Sequence, residues 1–359
     1  YENIIGENLA FIAVIHKQVE MLKDLKKMGV SLNKPCHRGV LPAYYAAEDK
    51  QYRTLSVLKE LGVDLREWDY RMTPLATIAA GNDDVELIDK LAQLKICLWE
   101  PNDFGENVVH AAAKDGSLRV LKKLSEYGAD YNVISEPEGL TPFMKAAIAG
   151  QIQALEFLKP LQKDIHLYSN DGFDAIQYAA KEGQIWVLAL FMQWGIDILK
   201  PNMKGENIAR IACKEGKLEV LKFLHQHGLL QLEAQGSEWA PLSYAILENQ
   251  IEVMHFYDSI HYNFNQKVAD GYCHAYFAAK SGSLDVLQFL EKKQVNINER
   301  QPNGWMPAHA AAKHGEITVL KYLKNKGFDL KETTLEGETI ALIAAQHKQL
   351  RVLEFAHEI

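Results

Sequence analysis

Apolar residues recur at helical spacing in a series of short segments along the chain. LRVLKKLSEYG (118–128), LEVLKFLHQHG (218–228), LDVLQFLEKKQ (284–294) and ITVLKYLKNKG (317–327) each place Val and Leu on one stripe and charge on the other face. That pattern predicts amphipathic helices with one buried side. Each is preceded by a second kind of segment, short and Ala-rich, with a Gly just beyond it in most cases. Examples are GENVVHAAAKDG (105–116), GLTPFMKAAIAG (139–150) and GWMPAHAAAKHG (304–315). The chain therefore reads as a succession of helix pairs. Its longest apolar run, IWVLALFM at 185–192, is far short of the roughly 20 residues that span a bilayer.

The pairs fall on a grid. Leading glycines stand at 6, 39, 105, 139, 172, 205, 271, 304 and 337, and Arg71 and Glu238 fill the two gaps. Successive spacings are 33, 32, 34, 34 and then 33 throughout, which gives eleven units beginning near 4, 37, 69, 103, 137, 170, 203, 236, 269, 302 and 335, the last one truncated. Inside each unit the order is constant. A turn Gly comes first, then Thr-Pro or its stand-in, where Pro suits the first helical turn. An Ala pair follows, such as Ala46–Ala47, Ala111–Ala112, Ala146–Ala147 or Ala278–Ala279, then a Gly break and the Leu-rich helix. Gly128, Gly195, Gly228 and Gly327 close that second helix as C-terminal caps.

This grammar resembles the ankyrin repeat family over essentially the whole chain. TPFMKAA, MPAHAAAKHGEITVLKYLKNKGFD and VVHAAAKDGSLRVLKKLSEYGADYN carry the resemblance. The repeats are degenerate: only some keep Thr-Pro, and extra residues enter near GNDDVEL and SEPEG. The resemblance implies an all-α solenoid, with a β-hairpin turn and two antiparallel helices per repeat, elongated and curved over a span on the order of 100 Å. Such an array is a single domain over 1–359 without one globular core, its stability summed from repeats and their interfaces.

Composition adjusts this picture only slightly. The chain has 359 residues, 48% hydrophobic and 24% charged, ordinary for a folded protein. Formal net charge is −8, which argues against a nucleic-acid binder driven by a global basic field. Cys36, Cys97, Cys213 and Cys273 lie far apart with no C-x-x-C pair. They are expected to fill small apolar sites in a cytoplasmic or other reducing compartment. The chain opens on Tyr1 rather than Met, as expected of a piece of a longer protein.

Little in the sequence points to catalysis. No H-E-x-x-H, G-x-S-x-G, Walker-type loop or G-x-G-x-x-G occurs. His225 and His227, two apart on a helix, point to different faces and make a poor metal pair. Cys273 and His274 are adjacent, but adjacency does not orient a base toward a nucleophile. They stand where the family has Thr-Pro and read as turn and first-helix residues. His110 and His309 match the His of the family's Thr-Pro-Leu-His motif, which implies that they brace neighbouring loops. No enzyme, cofactor or metal is expected.

Two series stand out as candidate partner contacts. The residue after the Ala-rich stretch is Lys114, Lys181, Lys214, Lys280 and Lys313 in five repeats. The resemblance puts this position on the concave side, where it would form a ladder. Asp115, Glu182, Glu215 and Glu248 follow or match it, and such mixed charge favours a protein over a phosphate backbone. Solvated helix ends are the alternative. The second series is the hairpin tip after the turn Gly: Glu7, Val40, Met72, Glu106, Leu140, Phe173, Glu206, Trp239, Tyr272, Trp305 and Glu338. Four large aromatics in repeats six to ten are unusual for a structural turn and are enriched at binding hot spots. The alternative is that they fold back onto the next hairpin. Tyr45, Tyr178, Tyr244 and Phe277 share one first-helix position and are expected in the core, with Trp186 and Trp194 in the core or on the outer face.

The expected function is a monomeric interaction scaffold that grips a folded domain or extended peptide through its groove and tips. Phe173, Trp239, Tyr272 and Trp305 are the anchors, and Lys181, Lys214, Lys280 and Lys313 orient acidic groups. The alternative is the targeting arm of a larger enzyme. Lysine far exceeds arginine, and Ile and Asn are common, which suits an AT-rich genome. Degenerate arrays of this kind are similar to effectors that intracellular bacteria deliver into host cells, which makes the expected partner a host protein.

Overall fold

The structure is a computed structural model and describes residues 8–67, 70, 72–232, 240–268 and 271–358. Trp239 lies outside the described residues, as do Glu7, Arg71 and Glu238 of the repeat grid. Among the described residues there are 22 α-helices and no β-strand. They fall as two helices in each of the eleven repeats. Repeat four has Val108–Asp115 and Leu118–Glu126, repeat nine His274–Ser281 and Leu284–Lys292, and repeat eleven Ile340–Gln346 and Leu350–His357. The fold is the ankyrin-type solenoid architecture expected from the repeat.

The hairpins are present as turns rather than strands. The tip closes through a pair of backbone bonds, such as Ser169 N–H to Phe173 O at 2.8 Å with Gly172 N–H to Ser169 O at 2.9 Å, and Gln301 N–H to Trp305 O at 2.7 Å with Gly304 N–H to Gln301 O at 2.8 Å. These bonds close a tight turn and do not make a ladder. Gly304 shows why the turn position favours glycine: its φ is +80°, and a Cβ there would stand 2.2 Å from the Leu335 side chain of the next repeat.

Contacts divide the chain into two compact units. One comprises Tyr1–Ala179 and Trp186–Trp194, the other Ala180–Ile185 and Gly195–Ile359. In repeats one to five and seven to eleven, neighbouring first helices pack against one another and each packs against its own second helix. The small side chains make this approach possible. Ala46, Ala47, Ala146, Ala147, Ala278 and Ala279 have no exposed surface. In repeat four the fully buried pair is Ala112–Ala113, one residue beyond the expected one, with Ala111 only half-buried. The second helices bury the expected stripe: Val120, Leu121 and Leu124, and likewise Val319, Leu320 and Leu323, are fully buried.

Where a repeat lacks its break Gly, the left-handed backbone survives. Lys17, Lys50, Asp83, Asn249 and Lys348 take that position with φ between 47° and 60°. The geometry of the turn is retained at a cost of about 1 kcal/mol or more per residue. Polar side chains then tie one repeat to the next. Gln250 Nε2 donates to Lys214 O at 3.1 Å and Gln349 Nε2 to Lys313 O at 3.2 Å, each satisfying a carbonyl at the end of a first helix.

Candidate functional site

The two histidines of the repeat motif are braces. His110 is buried; its Nδ1 accepts the Asn107 N–H at 3.3 Å and its Nε2 donates to Leu140 O of the next hairpin at 3.2 Å. His309 repeats the wiring, with Met306 N–H at 3.0 Å and Glu332 O at 3.0 Å. Only a neutral imidazole with its proton on Nε2 serves both partners. Burial pushes the His110 pKa down to about 4.

Cys273 and His274 do not form a reactive pair. Cys273 is the residue just before the first helix, and its Sγ accepts from Gln301 Nε2 at 3.1 Å while Gln301 Oε1 takes its N–H at 2.8 Å. Burial pushes its thiol up. His274 is wholly buried and committed to Phe264 O at 3.0 Å and Tyr262 Oη at 3.3 Å. Cys213 is also buried, its thiol pushed up to about 12. The expectation for cysteines needs one correction: Cys97 is exposed and Cys36 half-buried. His225 and His227 go to separate rings, Phe256 and Phe223. No group of three or more His, Cys, Asp or Glu side chains able to hold a metal occurs among the described residues.

Phe173, Tyr272 and Trp305 are each half-buried and make ring contacts with the first helix of their own repeat. Phe173 packs on Tyr178 at 5.5 Å between ring centroids. Tyr272 packs on Tyr276 at 4.9 Å and lies 6.2 Å from Phe277. Trp305 meets His309 edge-on at 6.2 Å. Phe173 belongs to the first unit, whereas Tyr272 and Trp305 belong to the second, together with Lys181, Lys214, Lys280 and Lys313. Of the lysines, Lys214 is exposed and the other three half-buried.

The fold brings the two candidate series together in repeat ten. The ammonium of Lys313 stands 5.5 Å from the Trp305 ring centroid, a cation–π contact. A tip residue and the residue eight positions on therefore share one surface. Repeat eleven repeats the relation, with Gln346 Nε2 donating to Glu338 at 3.0 Å. Arg210 lies 5.3 Å from the Tyr244 ring in the neighbouring repeats seven and eight.

Among the remaining aromatics, Tyr276 was not singled out from the sequence. Tyr276 sits at the position that His110 holds in repeat four, and joins Tyr272. Trp186, 75% exposed, faces outward from a second helix. Tyr45 is half-buried against Phe11, and Tyr244 is half-buried, whereas Tyr178 and Phe277 are core as expected.

The profile for ankyrin repeats in three copies matches residues 109–202 and 275–356. The chain belongs to the ankyrin-repeat family. No curated protein matches its sequence. Among solved structures it is similar to the ankyrin repeat domain of Bcl-3, described as a unique member of the IkappaB protein family, at 17% identity. That match covers 57% of this chain and 94% of the other, with a TM-score of 0.49. Ankyrin repeats generally mediate protein–protein interaction, and the fold is typically a non-catalytic scaffold. No described helix of this ankyrin-repeat chain is long and apolar enough to cross a membrane.

Proposed function

We propose that this ankyrin-repeat protein binds another protein through the hairpin tips and first-helix ends of its second unit, with Tyr272 and Trp305 as anchors and the lysine series beside them. The observation that carries this reading is the Trp305–Lys313 contact at 5.5 Å. It makes one surface of a ring and a charge that the sequence presented as separate features. Rings already held against their own helix lose little freedom on binding, so a larger share of the contact energy appears as affinity. Trp239, and Phe173 on the first unit, extend the same tip series. Delivery into a host cell, with a host protein as the target, is supported by the lysine bias and the degenerate array.

A photo-crosslinking residue at 272 or 305 should capture the partner, and one at the outward-facing position 186 should not. Tyr272→Ala and Trp305→Ala should reduce capture with helical circular dichroism intact. Cross-linking at 186 alone, with capture unchanged in both alanine variants, overturns this assignment.

A further inference from the structure

The lysine series changes character along the second unit. In repeats six and seven each lysine is followed by an acid, Lys181–Glu182 and Lys214–Glu215, and repeat eight carries Glu248. From repeat nine the acids are gone: the pairs read Lys280–Ser281, Lys313–His314 and Gln346–His347, and Lys348 follows. The first helices bearing them pack side by side, Ala-rich faces together. Cationic groups from three consecutive repeats are thereby brought side by side.

His314 reports on that gathering. Burial holds its protonation down, and Lys280, Lys313 and His347 each hold it down further, while no carboxylate pulls it back. Acids do lie near these elements: Glu299 and Glu332 are paired with Lys267 and Arg300, and Glu248 ends the neighbouring first helix of repeat eight. Glu316, at the start of the second helix of repeat ten, lies against Gly282, and burial raises its pKa. Glu338, the tip of repeat eleven, accepts a hydrogen bond from Gln346. A lysine at a helix C-terminus complements the helix dipole, which accounts equally for Lys114 and Lys214. It does not account for stacking further cations beside Lys280 and Lys313 in the repeats from which acids have gone, next to the Tyr272–Tyr276 pair and Trp305.

We infer that repeats nine to eleven form a docking surface for an acidic protein segment bearing apolar side chains, its carboxylates set against Lys280, Lys313, His314 and His347 and its apolar groups against Tyr272, Tyr276 and Trp305. This rests on the partner-binding reading above and adds the chemistry of the partner. Binding is then linked to protons. A carboxylate beside His314 favours the charged imidazole, so affinity rises as pH falls through the histidine range, until the ligand's own carboxylates protonate near pH ~4.

The test uses the intact chain and a fluorescein-labelled peptide of glutamates interrupted by leucines, read by anisotropy. The same peptide with Gln for Glu, and a single-stranded oligonucleotide, are the comparisons. The glutamate peptide should bind about tenfold tighter than the glutamine peptide and tighten about threefold from pH ~7.5 to ~5.5. K280E/K313E should remove the preference at both pH values. H314Q/H347Q should keep the preference but flatten the pH response. Equal binding of the two peptides, tighter binding of the oligonucleotide, or a pH response surviving in H314Q/H347Q overturns the inference. Equal peptide binding with capture still lost in Trp305→Ala sinks only the acidic chemistry. A glutamate preference with capture unaffected by Tyr272→Ala and Trp305→Ala sinks the aromatic reading instead.

Discussion

Repeats four and nine have the same helix boundaries relative to their leading glycines, yet they spend their polar groups differently. Both end the first helix on a left-handed glycine, Gly116 and Gly282. In repeat four His110 reaches forward to Leu140 of the next hairpin. In repeat nine that position is Tyr276, and His274, two residues earlier, reaches back to Phe264 and Tyr262 of the preceding segment. Gln301 of repeat ten takes over the N–H of Cys273. The tips differ likewise. Glu106 forms an ion pair with Lys145 of repeat five, whereas Tyr272 lies on Tyr276. Buried backbone groups must be satisfied, but not by one residue type. Moving the brace leaves the position of His110 to an aromatic ring, Tyr276, in repeat nine.

The sharpest way to break this comparison is to titrate the braces. The buried imidazoles of His110 and His274 are both held down to about pKa 4, by burial first of all. Their folded values lie below the ordinary 6.5, so the unfolded chain binds more protons between the two. The stability they contribute is fully present above pH ~6.5 and lost as pH falls toward ~4, up to about 3 kcal/mol for each. Repeat six supplies the control, because Gln177 stands at the position of His110 and its Oε1 accepts the Asp174 N–H at 2.8 Å. His110→Gln should keep most of the stability at neutral pH and remove its share of the acid loss in urea unfolding. His110→Ala, which strands the Asn107 N–H and leaves Leu140 O with the Ser135 N–H alone, should cost about 1–3 kcal/mol at neutral pH. An acid profile identical in wild type and His110→Gln refutes the brace.

The tips separate next. Tyr272→Ala should weaken partner binding by about 2 kcal/mol while changing stability little, since the ring is only half-buried. Glu106→Gln should do the reverse. Lys145 more than offsets the burial of the Glu106 carboxyl and holds its pKa below the usual value. Losing that charge should cost about 1 kcal/mol or less of stability and leave partner binding unchanged. Isothermal titration and urea unfolding on both variants decide it. Matching effects on binding would erase the distinction between the two repeats.

Much of this was legible in the chain. The period of 33, the Val–Leu–Leu stripe and the glycine breaks required nothing beyond spacing, because each follows from a helix burying one face against a copy of itself. What spacing does not encode is where a side chain turns at a position without a periodic constraint. Trp305 lies back along its own helix and meets Lys313, a contact across eight residues set by the tip geometry. Cys273 and His274 read as turn and first-helix residues, and so they stand, but only the packing of Tyr262 and Phe264 shows His274 facing inward. Cys97 is exposed because it sits in a connecting segment and not on either buried stripe. The acid-free stretch of the lysine series was visible in the letters, but its meaning depended on the helices standing side by side.

The smallest expected effect tests whether the irregularity of repeat nine is tolerated or required. Its second helix ends on Gln294, exposed, with φ at 61°, where repeat four has Gly128 at 78°. Nothing lies within 4 Å of a Cβ built on Gly128, so the two positions differ in backbone strain alone. Gln294→Gly should relieve that strain and stabilise the protein by up to about 1 kcal/mol, and Gly128→Ala should destabilise it by a similar amount. Thermal unfolding of the two variants reads both changes. A gain at 294 shows that repeat nine carries a cost its fold does not need, as expected where binding rather than stability shaped the sequence. A loss at 294 shows that the Gln294 side chain supports the repeat, and repeat nine is then as structurally committed as repeat four.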